Sequence, residues 1–261
     1  MNDQLIMTGI GLVIIVALTM GLHRWARIGL GWQPVIAGIR AVLQLAVIAL
    51  ILQGVFSQPW TGALFVVLMM TVAALTTAAR LKELYRGRVA AIAGVVIAAT
   101  ISIALVFGLQ MMEFEVRYVI AIGGIVIGNS MSGMTLTGRN FLRTSIAQRG
   151  EIEGWLALGA TPLTAFSRIS RESIREALIP SIDQTKSTGL VTLPGAFVGA
   201  IMGGASPVEA ARFQVVVLIA VIFAITVAGI IATRILSTSP TIPVPAEQQS
   251  ETTENGRSSA H

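Results

Sequence analysis

Between Leu5 and Leu236 the chain is divided into seven apolar stretches, at 5–22, 35–54, 60–79, 89–109, 118–138, 187–204 and 212–236. At 1.5 Å per helical residue, each approaches or exceeds the hydrocarbon thickness of a bilayer, about 30 Å. In lipid, every backbone N–H and C=O needs a partner within its own segment or a closed barrel. Largely apolar runs of this length meet that requirement as helices. The expected fold class is therefore all-α, a polytopic membrane protein with seven transmembrane helices. Composition agrees, since 54% of residues are hydrophobic and only 12% charged, against about 25% charged in soluble domains.

The connections carry a second pattern. The first loop holds His23, Arg24 and Arg27, the third ("RLKELYRGR") Arg80, Lys82, Arg86 and Arg88, and the fifth Arg139, Arg143 and Arg149. The second loop is uncharged, the fourth sets Glu113 and Glu115 against Arg117, and the sixth holds Glu209. Basic connections thus alternate with neutral or acidic ones, and Arg234 closes the last stretch. Basic loops stay in the cytoplasm, which places the N-terminus outside and the C-terminus inside. The opening "MNDQLIMTG" lacks the basic region of a cleaved signal, so its apolar run is expected to be retained. After Leu236 the chain turns to Pro, Ser, Thr and Glu with little to bury, and residues 237–261 are expected to be a disordered tail.

The net charge of +5 is accounted for by these loops. No basic cluster is interleaved with stacking aromatics, so nucleic acid is not an expected partner. With no cysteine in the chain, disulfides and thiolate metal sites are excluded. His23 and His261 are too few for a histidine metal site, and the residues name no metal.

The densest charge lies in "EIEGWLALGATPLTAFSRISRESIREALIP", Glu151 to Pro180. Gly159 is placed to cap one helix, and Thr161 followed by Pro162 to begin another, which Pro180 should stop. Leu163, Phe166, Ile169, Ile174, Ala177 and Leu178 form one stripe, with Arg168, Arg171, Glu172 and Arg175 elsewhere. Such a cytoplasmic hairpin suits either the anionic headgroup layer or a soluble partner.

"EGWLALGATPLTAFSRI" resembles the coupling loop of ABC-transporter permeases, with Glu153, Gly159 and Ile169 at the motif's three positions. Gly154 stands where the motif has Ala, and Arg171-Glu172 where many importers have Leu-Pro. "RAVLQLA", "GNSMSGMTLTGRNF", "LALGATP" and "ALIPSIDQTKSTGLVTLPGAFVGAIMGGASPVEAARFQ" together resemble the FetB-type permeases, which are implicated in iron export and related to plant half-permeases for aluminium tolerance. The resemblance implies a permease domain over 1–236, with a cytoplasmic coupling segment at 139–180. It implies that Glu151, Glu153, Leu158, Gly159, Ala160, Thr161, Leu163, Phe166 and Arg168 meet a separate ATPase subunit. The chain has no G-x-x-x-x-G-K-[ST], so ATP and Mg would be held by that partner and this chain would bind no cofactor of its own. A homodimer of the permease is expected. The rival readings are an ion-coupled secondary transporter, an ABC permease for a nucleotide-sugar, and a membrane scaffold that recruits a partner.

Polar side chains inside the apolar runs are the candidate substrate path: Arg40 and Gln44 in the second, Asn129 and Ser130 in the fifth. An amide in lipid is desolvated without a partner, so Gln44 and Asn129 should face the bundle interior or a cavity. Met131 and Met134 are expected to be packing. Asp183 and Lys186, three apart, suit a helix-face pair, and with Pro194 and Gly195 they form a candidate hinge. Gly124, Gly128 and Ser132, and likewise Gly195, Gly199 and Gly203, recur every four residues, as small residues do where helices approach closely. Each stripe serves either packing within one bundle or a permease–permease interface.

Overall fold

The computed structural model describes residues 2–55 and 59–239, and the chain forms two compact units, 1–58 and 59–261. In the first unit α1 (Asn2–Trp25) and α2 (Gln33–Val55) are joined by a short turn, with Arg27, Gly29 and Gly31 at positive φ. Their apolar windows are buried nowhere within the structure. A helix hydrophobic all round is expected to have lipid or other protein as its surroundings.

The second unit holds α3 (Pro59–Arg80), α4 (Gly87–Gly108), α5 (Val116–Ala147), α6 (Arg149–Ala157), α7 (Pro162–Ala165), α8 (Ser167–Ser187), α9 (Gly195–Met202) and α10 (Pro207–Leu236). Its centre is α5 and α10, of 32 and 30 residues, or about 48 and 45 Å. α3 and α4 pack against α5, α4 against α10, and α8 against both α5 and α10. The core is made mostly of small and branched residues: Ala90, Val95 and Ala99 of α4, Ile122 and Val126 of α5, Ala224, Ile225 and Ala232 of α10. Met134 is packing, as expected, and is fully buried.

Two contacts fix which ends lie together. Arg212 Nη2 of α10 donates to the Met111 carbonyl in the α4–α5 turn at 2.8 Å. At the other end the hydroxyls of Ser170 and Ser237 lie 3.0 Å apart. α10 begins with a capping box, Ser206 and Glu209 each satisfying the other's backbone N–H.

Among the described residues six helices are long and apolar enough to cross a membrane: α1 to α5 and α10. The expected sixth span, 187–204, is corrected. α8 ends at Ser187, residues 188–194 form a turn closed by a Thr188–Thr192 bridge, and α9 has 8 residues, about 12 Å. Gly189 at φ 91° and the break before Pro194 divide this apolar stretch. Pro180 does not stop its helix either. It sits inside α8 on the exposed side, where losing one N–H donor leaves the following turns intact. The expected tail from Pro240 onward lies outside the described residues, whereas Ser237 and Ser239 are buried.

Candidate functional site

The loop between α5 and α8 builds the first candidate site. α6 ends in a Schellman turn: Gly159 N–H donates to Leu156 O and Ala160 N–H to Trp155 O, with Gly159 at φ +85°. Thr161 then caps α7, accepting from Thr164 N–H at 3.4 Å, with Pro162 at the first position. The tip is apolar and open. Leu158 is 84% exposed, and Trp155 and Leu163 nearly half. Glu151 takes Arg168 through both carboxylate oxygens, and Glu153 takes Arg149 at 2.6 Å. The hydrogen bond from Arg168 to Glu151, then the carboxylate's charge, raise that guanidinium above its ordinary value. Exposed pairs of this kind orient side chains more than they stabilise the fold.

Phe166 was expected to face a partner with the rest of this set, and the structure places it inside instead. It is 1% exposed, its ring stacked on Phe141 of α5 with centroids 5.5 Å apart. Its neighbours on the stripe, Ile169 and Ala177, are buried too. The apolar stripe of this segment therefore fastens the hairpin to its own chain, leaving Leu158, Ala160, Thr161 and Leu163 at or near the surface.

The second candidate site is a cavity of about 190 Å³ between α5, α8, α9 and α10. Asn129, Ser181, Gln184, Thr185 and Gln214 supply its polar groups, and Pro194 and Gly195 its edge. Asn129 donates to the Ile125 carbonyl of its own helix at 2.8 Å. Gln214 is 5% exposed, yet its carbonyl oxygen has no hydrogen-bond partner among the described residues. A buried acceptor left open in this way is a place for water or a ligand donor. Ser130, fully buried, has an unpartnered hydroxyl as well. Asp183 and Lys186 do pair, at 3.6 Å, on the exposed side of α8. Arg40 and Gln44 belong to α2 in the first unit, where both are exposed. Among the described residues no group of three or more His, Asp or Glu is arranged to hold a metal ion.

Comparison with known proteins adds the family. The family model for UPF0014, described as an uncharacterised protein family, matches residues 6–239. The chain belongs to the UPF0014 family. It is 38% identical over 221 residues to the UPF0014 membrane protein STAR2 of Oryza sativa subsp. japonica, covering 84% of this chain and 78% of that one. It is 33% identical to the protein ALUMINUM SENSITIVE 3 of Arabidopsis thaliana, covering 85% and 82%. It is 32% identical to the probable iron export permease protein FetB of Escherichia coli (strain K12), covering 74% and 75%. No solved structure matches. With six apolar spans and membrane-protein relatives, this UPF0014 chain is a multi-pass membrane protein.

Within the UPF0014 fold the expected small-residue stripes are not the tight contacts of the second unit. A side chain added at Gly128, Gly195 or Gly199 would meet nothing within 4 Å, one at Gly203 only its own helix, and one at Gly124 only the tip of Met69 at 3.6 Å. Ser132 turns its exposed hydroxyl back to Gly128 O. On α5 the close approaches are at Gly133, where an added carbon would lie 2.7 Å from Ile225, and at Gly138, 2.6 Å from Leu81. Sequence reasoning also missed Gln214. The available signal was a lone amide inside "RFQVVVLIAVIF", of the kind that singled out Gln44 and Asn129.

Proposed function

We propose that this chain is the membrane-spanning permease subunit of an ABC transporter, acting as a pair with two copies of a separate cytoplasmic ATPase and exporting iron from the cytosol. The N-terminus is outside and the C-terminus inside. ATP and Mg are held by the partner, and this chain supplies the path and the coupling surface.

The observation that carries this reading is the α6–α7 hairpin. Its tip presents Trp155, Leu158 and Leu163 to solvent beside exposed Glu151 and Glu153, while its base is anchored by Phe166 on Phe141. An apolar anchor in a charged rim is the arrangement of an interface hot spot. A rigid base lets displacement of the tip reach α5 and α8. The substrate is taken from the Escherichia coli relative, a probable iron export permease. Iron passes as cargo, and the polar cavity around Asn129 and Gln214 is one place where it, or its hydration shell, meets the chain.

The test is efflux from liposomes containing the permease and its ATPase. Iron should move only with ATP and Mg, and a P-loop lysine substitution in the ATPase should stop it. Iron movement that needs no ATP and ends when an ion gradient is collapsed would replace this reading with an ion-coupled transporter.

A further inference from the structure

The helix that most violates the membrane pattern is α8. It carries seven charges, Arg168, Arg171, Glu172, Arg175, Glu176, Asp183 and Lys186, all exposed. At 100° per residue they fall within about 140° of the helix circumference. Ile169, Ser173 and Ala177, the buried residues, all fall outside this arc. On composition alone such a helix belongs in water.

Its packing places it elsewhere. α4, 22 residues long, is one of the apolar spans. A carbon added at its Gly94 would lie 3.3 Å from the Ala228 carbonyl of α10. Gly94 is seven residues after the start of α4 and fourteen before its end. Counted along antiparallel α10, these steps set the two ends of α4 beside Ile235 and Gln214. α8 follows α10 across the same interval. Ser170 meets Ser237, Ile174 packs on Gly229, and Ser181, Gln184 and Thr185 share a cavity with Gln214, Val217, Leu218 and Val221. From about Ile174 to Thr185 the charged helix thus lies at the depth of the apolar layer. Lipid cannot cover its outer face, since ionised groups at that depth require water or polar partners. A groove of about 440 Å³ runs along this face from Arg171 past Arg175 to Asp183 and Lys186, with Leu178, Ile179 and Ile182 between the charged side chains.

We infer that α8 crosses the apolar layer beside α10 and that its charged face forms one wall of a water-filled path for a charged solute. It is a crossing distinct from the apolar stretch at 187–204. The identity of the wall follows from packing and charge; the solute's passage along it rests on the permease reading above.

The chain has no cysteine, so single thiols can be placed cleanly. Glu176→Cys, Ile179→Cys and Asp183→Cys sample the charged face; Ile219→Cys and Phe223→Cys sample exposed apolar positions of α10 at comparable depth. Each variant is reconstituted in liposomes and treated with a water-soluble thiol reagent, and its nitroxide-labelled form is scored for access to oxygen and to a polar nickel chelate. The α8 thiols should react at least about tenfold faster than those on α10, because the reactive thiolate forms in water. Their labels should favour the chelate, and those at 219 and 223 oxygen. Chelate access at 219 and 223 as well would put both helices outside the bilayer and overturn the inference. Slow thiols on α8, whether covered by lipid or by a second copy of the chain, would overturn it too. None of these readouts needs an ATPase. A dry α8 face alongside ATP-driven transport removes the path alone, and a wet face without ATPase docking removes the proposed function alone.

Discussion

Truncating Phe166 to alanine separates a docking residue from an anchor. The ring is buried, stacked on Phe141, with Ile152 of α6 and Ile169 of α8 in the same core cluster. Removing a buried phenylalanine costs about 3–5 kcal/mol. The lower end applies here, because the pair sits at the end of the bundle, where neighbours relax. At 1.4 kcal/mol per factor of ten, a loss of about 3 kcal/mol is roughly a hundredfold in the population of the detached hairpin. Amide hydrogen exchange of α6 and α7 in nanodiscs should therefore quicken by about that factor, while α4 and the middle of α10 stay protected. Phe166→Leu, which keeps most of the volume, should cost less than about 1.5 kcal/mol. A cycle of Phe141→Ala and Phe166→Ala, read by ATPase affinity, should be non-additive, the second truncation adding little once the first has been made. If Phe166→Ala weakens docking while Phe141→Ala does not, or if α6 exchange is unchanged, the ring meets the partner and the anchoring account fails.

Other outcomes follow from single contacts. Gly159→Val forces a β-branched residue to φ +85°, so ATPase co-purification should fall while membrane insertion is retained; unchanged co-purification counts against the hairpin. Gly133→Ala should lower thermal stability by about 1–3 kcal/mol through overpacking, its new carbon lying 2.7 Å from Ile225. Gly128→Ala should be silent in the monomer, and a larger loss there than at Gly133 would mark the outer stripe as an interface. Gln214→Leu removes an unpartnered buried acceptor and should leave stability within about 1 kcal/mol of the wild type while slowing iron efflux. Unaltered efflux would take the cavity out of the path.

Hydropathy located α1 to α5 and α10 because lipid demands apolarity around the whole circumference, which an average over a window reports well. It placed the end of α5 too early, since Arg139 and Arg143 end the apolar run but not the helix, which continues to Ala147. The same averaging kept α8 out of the apolar spans. One side of that helix is apolar or small and the other is charged, so its mean is low although it packs along an apolar span. The stretch at 187–204 had the opposite fault, being apolar enough in composition but broken by Gly189 and Pro194. Cap residues were legible because their chemistry is local: Gly159, Thr161 and Pro162 sit as their types require. Phe166 was not, since an amphipathic stripe shows that a face is buried without saying against what. Gly133 and Gly138 were overlooked in favour of a regular four-residue spacing, yet contact depends on which neighbour a helix face meets.

The antiparallel pairing of α8 with α10 also bears on how this segment can change over generations. Its outer residues touch little of the chain, so exchanges such as Glu176 for Asp or Ile179 for Val leave the architecture alone. Length is a different matter. One extra residue near Ser173 would rotate everything beyond it by about 100°, turning Asp183 and Lys186 toward α10 and carrying Ala177 off its seat. Drift between Ser170 and Ser187 is thereby channelled into substitutions, and insertions are left to the exposed turn at 189–193.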